Sequence, residues 1–79
     1  MKVKVLFFAG LRELAGKSQM NLEVKDGESV SRLLEMLKSD FPDLLSKPLM
    51  LAVNTEYVER DHKLKEGDEV ALIPPVSGG

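Results

Sequence analysis

Apolar and polar positions alternate at the start of the chain and again some twenty residues on. Lys2 to Ala9 (KVKVLFFA) alternates at first and then turns wholly apolar. This is the pattern of a strand that begins half exposed and ends in the middle of a sheet. Residues 19–25 alternate throughout, with Met20, Leu22 and Val24 on one side and Gln19, Asn21, Glu23 and Lys25 on the other. Between them, Gly10 to Ser18 reads as a loop with one helical turn in Leu11–Ala15, so the two strands form a hairpin with a long connection. Asp26-Gly27 marks a turn. Ser29 then suits a helix N-cap. Val30, Leu33, Leu34, Leu37 and Phe41 recur at helical spacing, with Ser31, Arg32, Glu35 and Lys38 on the other side. Pro42 limits that helix to about residues 30–40.

Beyond a connector bounded by Pro42 and Pro48, Leu49 to Val53 is a continuous apolar run that reads as a buried strand. Asn54-Thr55 is a turn, and Tyr57-Val58 a short return strand. Glu66-Gly67-Asp68 is a further turn. Glu69 to Ile73 is the last strand, stopped by Pro74 and Pro75, which cannot donate to a ladder. The order is strand, strand, helix, strand, short strand, strand. One helix packed across a mixed sheet of four to five strands buries these faces most economically. That is the α+β arrangement called the β-grasp, or ubiquitin-like, fold. The expected division is a β-grasp domain over residues 1–75 and an extended tail over 76–79.

Composition narrows the function more than it shapes the fold. With 79 residues the chain holds one domain, and 43% hydrophobic content suffices for a core. Such a domain buries only about 60% of its unfolded surface, so its stability is modest. There is no cysteine, which removes disulfides, thiolate metal sites and thiol nucleophiles. A formal net charge of −2 lacks the basic footprint that nucleic-acid binding requires. No apolar run approaches the roughly 18 residues of a membrane span, and a cytoplasmic location is expected. From Glu56 to Glu69 six acids face three bases. They form either a solvated edge or an acidic collar near the tail that steers a basic partner.

The usual catalytic constellations are missing. His62 is the one histidine and sits in a polar stretch, as a surface histidine does. Gly10 and Gly16 do not make a phosphate loop, and no nucleophile elbow is present. No metal or stably bound cofactor is expected, and no autonomous active site. The C-terminus is different. The last strand runs straight into Pro74-Pro75, whose extended geometry directs the segment Val76-Ser77-Gly78-Gly79 stiffly away from the body. Four residues at about 3.3 Å each reach roughly 13 Å. Gly78 and Gly79 carry no side chains and fit a channel too narrow for other residues. Their end is an α-carboxylate, a poor electrophile until adenylation gives it a good leaving group. A sulfur donor or an amine can then take the acyl group.

Three blocks carry a resemblance over nearly the whole chain. They are Val5-Leu6-Phe7-Phe8-Ala9 with Leu11-Arg12-Glu13 and Gly16; Ala52-Val53-Asn54; and Gly67 through Gly79, which ends Ile73-Pro74-Pro75-Val76-Ser77-Gly78-Gly79. The sequence resembles the MoaD-type sulfur carriers, the small subunits of molybdopterin synthase. The resemblance implies the β-grasp fold and a set of partners. An E1-like adenylating enzyme uses ATP and magnesium to activate Gly79. A sulfur donor protein supplies the sulfur of a thiocarboxylate. The large synthase subunit, in a heterotetramer, receives the tail and passes the sulfur to cyclic pyranopterin monophosphate, the precursor of molybdopterin. By position, the family's partner-facing residues fall on Phe8, Arg12, Tyr57 and Ile73, and on the approach Pro74, Pro75, Val76 and Ser77.

On pattern alone, Phe8 and Ile73 each read as core. Yet Phe7/Phe8 and Leu72/Ile73 are adjacent on strands, and neighbours point to opposite faces. One member of each pair therefore lies away from the helix, where a partner would account for an apolar patch. Other readings remain open at this point: a carrier for thiamine or another thio-product, a ubiquitin-like modifier joined to lysines, or a plain interaction module. The absence of Lys and Arg from Glu66 to Gly79 suits docking into a groove better than a mobile basic tail.

Overall fold

In the computed structural model, which describes residues 1–46 and 48–75, five strands form one mixed sheet with a single long helix across it. The elements are β1 (Lys2–Phe7), α1 (Gly10–Ala15), β2 (Gln19–Glu23), α2 (Val30–Asp40), a 3-10 turn (Pro42–Leu45), β3 (Met50–Val53), β4 (Glu56–Tyr57) and β5 (Glu69–Ile73). Across the sheet they run β2-β1-β5-β3-β4. The central strand β5 runs parallel to β1, with Phe7 beside Leu72. The flanking pairs β1–β2, β3–β5 and β3–β4 are antiparallel. The expected α+β architecture is observed.

The alternation in the sequence becomes burial. Val3, Val5 and Phe7 of β1, Leu51 and Val53 of β3, and Val70 and Leu72 of β5 all face α2 and are buried. From the helix, Val30, Leu33, Leu34 and Leu37 close the core, and Phe41 packs at its edge, its ring set edge-on to Phe7 with centroids 6.2 Å apart. Ser29 caps α2 as expected, its Oγ accepting from the Arg32 N–H at 3.2 Å. The N–H groups of Val30 and Ser31 donate to the carbonyls of His62 and Arg60. The loop before β5 thus satisfies helix-terminal donors that would otherwise be orphaned. His62 takes part through its backbone.

Two short elements exceed the sequence expectation. The single turn expected in residues 11–15 is a six-residue helix that buries Leu11 and Ala15. It ends where Gly16 enters the left-handed region (φ 75°) and its N–H returns to the Arg12 carbonyl. The connector after Pro42 is a 3-10 turn that drives Leu44 into the core. The described strands also stop short of the expected ends: β1 at Phe7 and β2 at Glu23.

The β3–β4 hairpin is tight. Asn54 and Thr55 both take positive φ, the signature of the two-residue turn that matches strand twist. A clamp holds it: Asn54 Oδ1 accepts from the Glu69 N–H at 3.0 Å and its Nδ2 donates to Asp68 Oδ1 at 2.9 Å. The other Asp68 oxygen accepts from the Lys65 N–H at 2.8 Å.

Candidate functional site

The site forms where β5 ends. Because β5 is hydrogen-bonded on both sides, to β1 and to β3, the direction in which the chain leaves Ile73 is set by the sheet rather than by a loop. Phe8 extends that order past the end of β1, its N–H donating to the Leu72 carbonyl at 3.3 Å. Pro74 is half-buried and Pro75 exposed. Gly78 and Gly79, with Val76 and Ser77, lie outside the described residues.

The face of the sheet opposite α2 has no element of this chain across it among the described residues. Register places its residues in rows. Leu6 lies beside Ala71, Ala71 beside Ala52, and Ala52 beside Tyr57. One step nearer the tail, Ile73 pairs with Met50, and the Phe8 N–H donates to the carbonyl of Leu72, just before Ile73. Phe8 is 44% exposed, Met50 40% and Tyr57 69%. Phe7 and Leu72, their neighbours along the strands, are buried. The adjacent-pair argument therefore holds, and the core reading of Phe8 fails because its side of β1 carries no covering layer. The structure brings Phe8, Ile73 and Tyr57 onto one face. Arg12 is exposed on α1, the helix that the Phe8 carbonyl opens by accepting from the Leu11 N–H.

Two exposed apolar residues escaped sequence reasoning. Met50 sits in the apolar run 49–53, which reads as wholly buried; the alternation applied to Phe7/Phe8 would equally have turned Met50 outward once Leu51 faced the core. Leu14 is half exposed on α1, where six residues give too short a pattern to assign a face.

Four of the six acids of the stretch lie away from the tail. Asp68 is buried and committed to the hairpin clamp. Glu66 accepts from the Lys2 N–H, and Glu69 pairs with Lys4 at 3.9 Å. Glu56 lies opposite Val53, which pairs with Val70. These acids therefore gather at the start of β5, the whole strand away from Pro74, because residues close in sequence are separated by the length of the sheet. At the tail end Met50 and Tyr57 share a shallow cleft with Glu59 and Arg60. No cluster that could hold a metal ion occurs among the described residues, and no helix there is long and apolar enough to cross a membrane.

A domain presenting apolar residues where its last strand runs on toward Gly78 and Gly79 has clear relatives. Residues 5–79 match the model of the ThiS family. The chain is 45% identical to the molybdopterin synthase sulfur carrier subunit of Chlamydomonas reinhardtii, covering 100% of both chains. The chain belongs to the ThiS family, in the group of molybdopterin synthase sulfur carrier subunits. Among solved structures this carrier is similar to the putative molybdopterin converting factor subunit 1 of Pyrococcus furiosus. The TM-score is 0.89 and the identity 35%, with 96% of this chain and 99% of that one covered. It is also similar to the small archaeal modifier protein 1 of Haloferax volcanii, with a TM-score of 0.85 and 27% identity over 95% and 98% of the two chains. The fold is the β-grasp, and the relatives at 37–45% identity are sulfur carrier subunits of molybdopterin synthase.

Proposed function

We propose that Gly79 is the sulfur-bearing residue of this carrier. Its carboxylate attacks the α-phosphate of ATP, with magnesium, in an E1-like activating enzyme, and pyrophosphate leaves. Sulfur from a donor protein then displaces AMP, and the terminus becomes a thiocarboxylate. The large subunit of molybdopterin synthase takes the loaded tail into its active site, in a heterotetramer, and the sulfur passes to cyclic pyranopterin monophosphate. Gly78 and Gly79 enter the channel because they lack side chains; Pro74 to Ser77 form the approach. Phe8, Tyr57 and Ile73, with Arg12 beside them, dock the partner. The division into a domain over 1–75 and a tail over 76–79 belongs to the same reading.

The observation that carries the proposal is the apolar row Phe8–Ile73–Met50 at the point where a centrally anchored strand releases the chain. Exposed apolar side chains grouped at one end of a face mark an interaction surface, and this one lies against the root of the tail. Catalytic side chains are then required only in the partners. Intact mass after incubation with activating enzyme, ATP, magnesium and a sulfur source tests it. The full chain gains the mass of one oxygen-to-sulfur exchange, and the chain lacking Gly79 gains none and supports no molybdopterin formation. Product formation by the truncated chain would refute the assignment.

A further inference from the structure

The chain turns sharply after Phe8, and the turn is built against the preferences of its own residues. It is closed by the Leu11 N–H, which donates to the Phe8 carbonyl at 3.1 Å. Ala9, at the first central position, has φ 53° and ψ −132°. Those are the angles of a type II′ turn, which calls for glycine there and for an ordinary negative φ at the next position. Here the order is reversed. Gly10 stands second, without a positive φ, and a Cβ on it would meet nothing within 4 Å. Ala9 stands first, where its methyl group crowds the backbone. Nothing inside the carrier accounts for this order, since the opposite one would make the same turn without strain.

Strain by itself does not mark a site. Thr55, β-branched and at φ 73°, is also strained, at the tip of the β3–β4 hairpin. Ala9 differs in where it stands. It is exposed, as are Phe8 before it and Arg12 beyond it, and its carbonyl accepts from the Arg12 N–H at 3.1 Å. The Phe8 N–H ties the same turn to the Leu72 carbonyl, one residue before Ile73. A partner surface that meets both Phe8 and Arg12 spans the turn that joins them. Strained residues persist where their surroundings over-determine them, and they gather at binding sites.

We infer that Ala9 is a further docking residue of the carrier, kept at a glycine position for the contact its methyl group makes beside the Phe8 ring. The bare Gly10 next to it lets the partner approach the backbone closely. This rests on the proposal that Phe8 docks the large synthase subunit, and Ala9 goes with Phe8 to whichever partner covers that ring.

The test sets stability against affinity, by thermal melting of the full chain and calorimetric titration with purified large subunit. Ala9→Gly relieves the strain and removes the methyl group. It is expected to raise the melting temperature by about 4 °C. It is also expected to raise Kd about fourfold, the worth of one methyl group withdrawn from burial. Ala9→Leu keeps the positive φ but overfills the contact, and is expected to raise Kd about fivefold or more. Thr55→Gly relieves the other strained turn, which lies at the start of β5, where the Asn54 N–H donates to the Glu69 carbonyl. It should raise the melting temperature and leave Kd unchanged. Native affinity in either Ala9 variant overturns the inference. So does a lower melting temperature in Ala9→Gly, since the alanine then serves the fold. An equal rise in Kd in Thr55→Gly overturns it too, by making affinity a matter of general rigidity. Phe8→Ser, measured alongside, separates this inference from the reading beneath it. If Phe8→Ser also binds as the native chain does, the docking of Phe8 has failed; if it alone is weakened, only the role of Ala9 has.

Discussion

The two faces of the sheet are built from alternate residues of the same strands, and they have been put to opposite uses. Beneath α2, Val3, Val5, Phe7, Val70 and Leu72 form a uniform layer with 3% exposure or less. The other face is graded. At one end Lys2, Lys4, Glu23 and Glu69 make a charged, solvated surface; at the other Phe8, Ile73, Met50 and Tyr57 make an apolar one. A face used only to meet water would be polar along its whole length, and one used only for the core would be covered. The gradient runs toward the tail, so the face encodes direction: it tells a partner which end of the domain to grip. Removing side chains from the two faces should therefore separate stability from binding.

The largest effect on stability belongs to the covered face. Leu34→Ala removes a fully buried side chain from α2 and is expected to cost about 2–5 kcal/mol. A domain of this length has in total roughly 4–12 kcal/mol at 0.05–0.15 kcal/mol per residue. The variant should unfold at much lower denaturant, and a shift in midpoint of the urea transition measures it. The same sample, titrated with large subunit and corrected for the folded fraction, should bind as the native chain does. A weaker intrinsic affinity would mean that the covered face shapes the docking surface, and the two faces would not be independent.

Phe8→Ser makes the reciprocal case. The ring is exposed enough that its loss should change stability by less than about 1 kcal/mol. Affinity for the large subunit should fall at least about tenfold, as for an aromatic anchor at the centre of an interface. Thermal melting and titration on one preparation give both numbers. A large loss of stability with affinity intact would return Phe8 to the core and remove the main support for the docking face.

How much of this was legible in the sequence follows from the length of each pattern. β1, β2 and α2 each carry enough residues for periodicity to fix both element and face, and Ser29 and Pro42 bracket the helix by local chemistry alone. The 3-10 turn was invisible because Pro42–Leu45 has no period to read, and Leu44 is buried by contact with α1 and α2 rather than by its neighbours in sequence. α1 is too short to be stable by propensity; the left-handed Gly16 and the burial of Leu11 hold it. The acidic stretch stayed open between a solvated edge and a collar because charge counts along the chain ignore where strands begin and end. Asp68 was a hairpin clamp and not a steering charge, which only its contacts with Asn54 and Lys65 reveal. The candidate site was half legible: strand alternation turned one member of each pair, Phe7/Phe8 and Leu72/Ile73, outward and the family resemblance picked Phe8 and Ile73, while Met50 needed the fold.

The smallest expected effect sharpens the comparison most finely, since it asks where the docking face stops. Lys4 lies on the open face two residues before Leu6, and its ammonium meets Glu69 at 3.9 Å with both side chains nearly half exposed. An exposed pair of this kind contributes less than about 1 kcal/mol. Lys4→Gln should leave the melting temperature nearly unchanged. If the partner grips only the apolar end, affinity for the large subunit should stay within about twofold and its salt dependence should not alter. An appreciable loss that fades as salt is raised would instead extend the interface over the charged end. The gradient would then be a composite surface, apolar anchor and ionic flank together, and the partner would have to present acidic groups opposite Lys4.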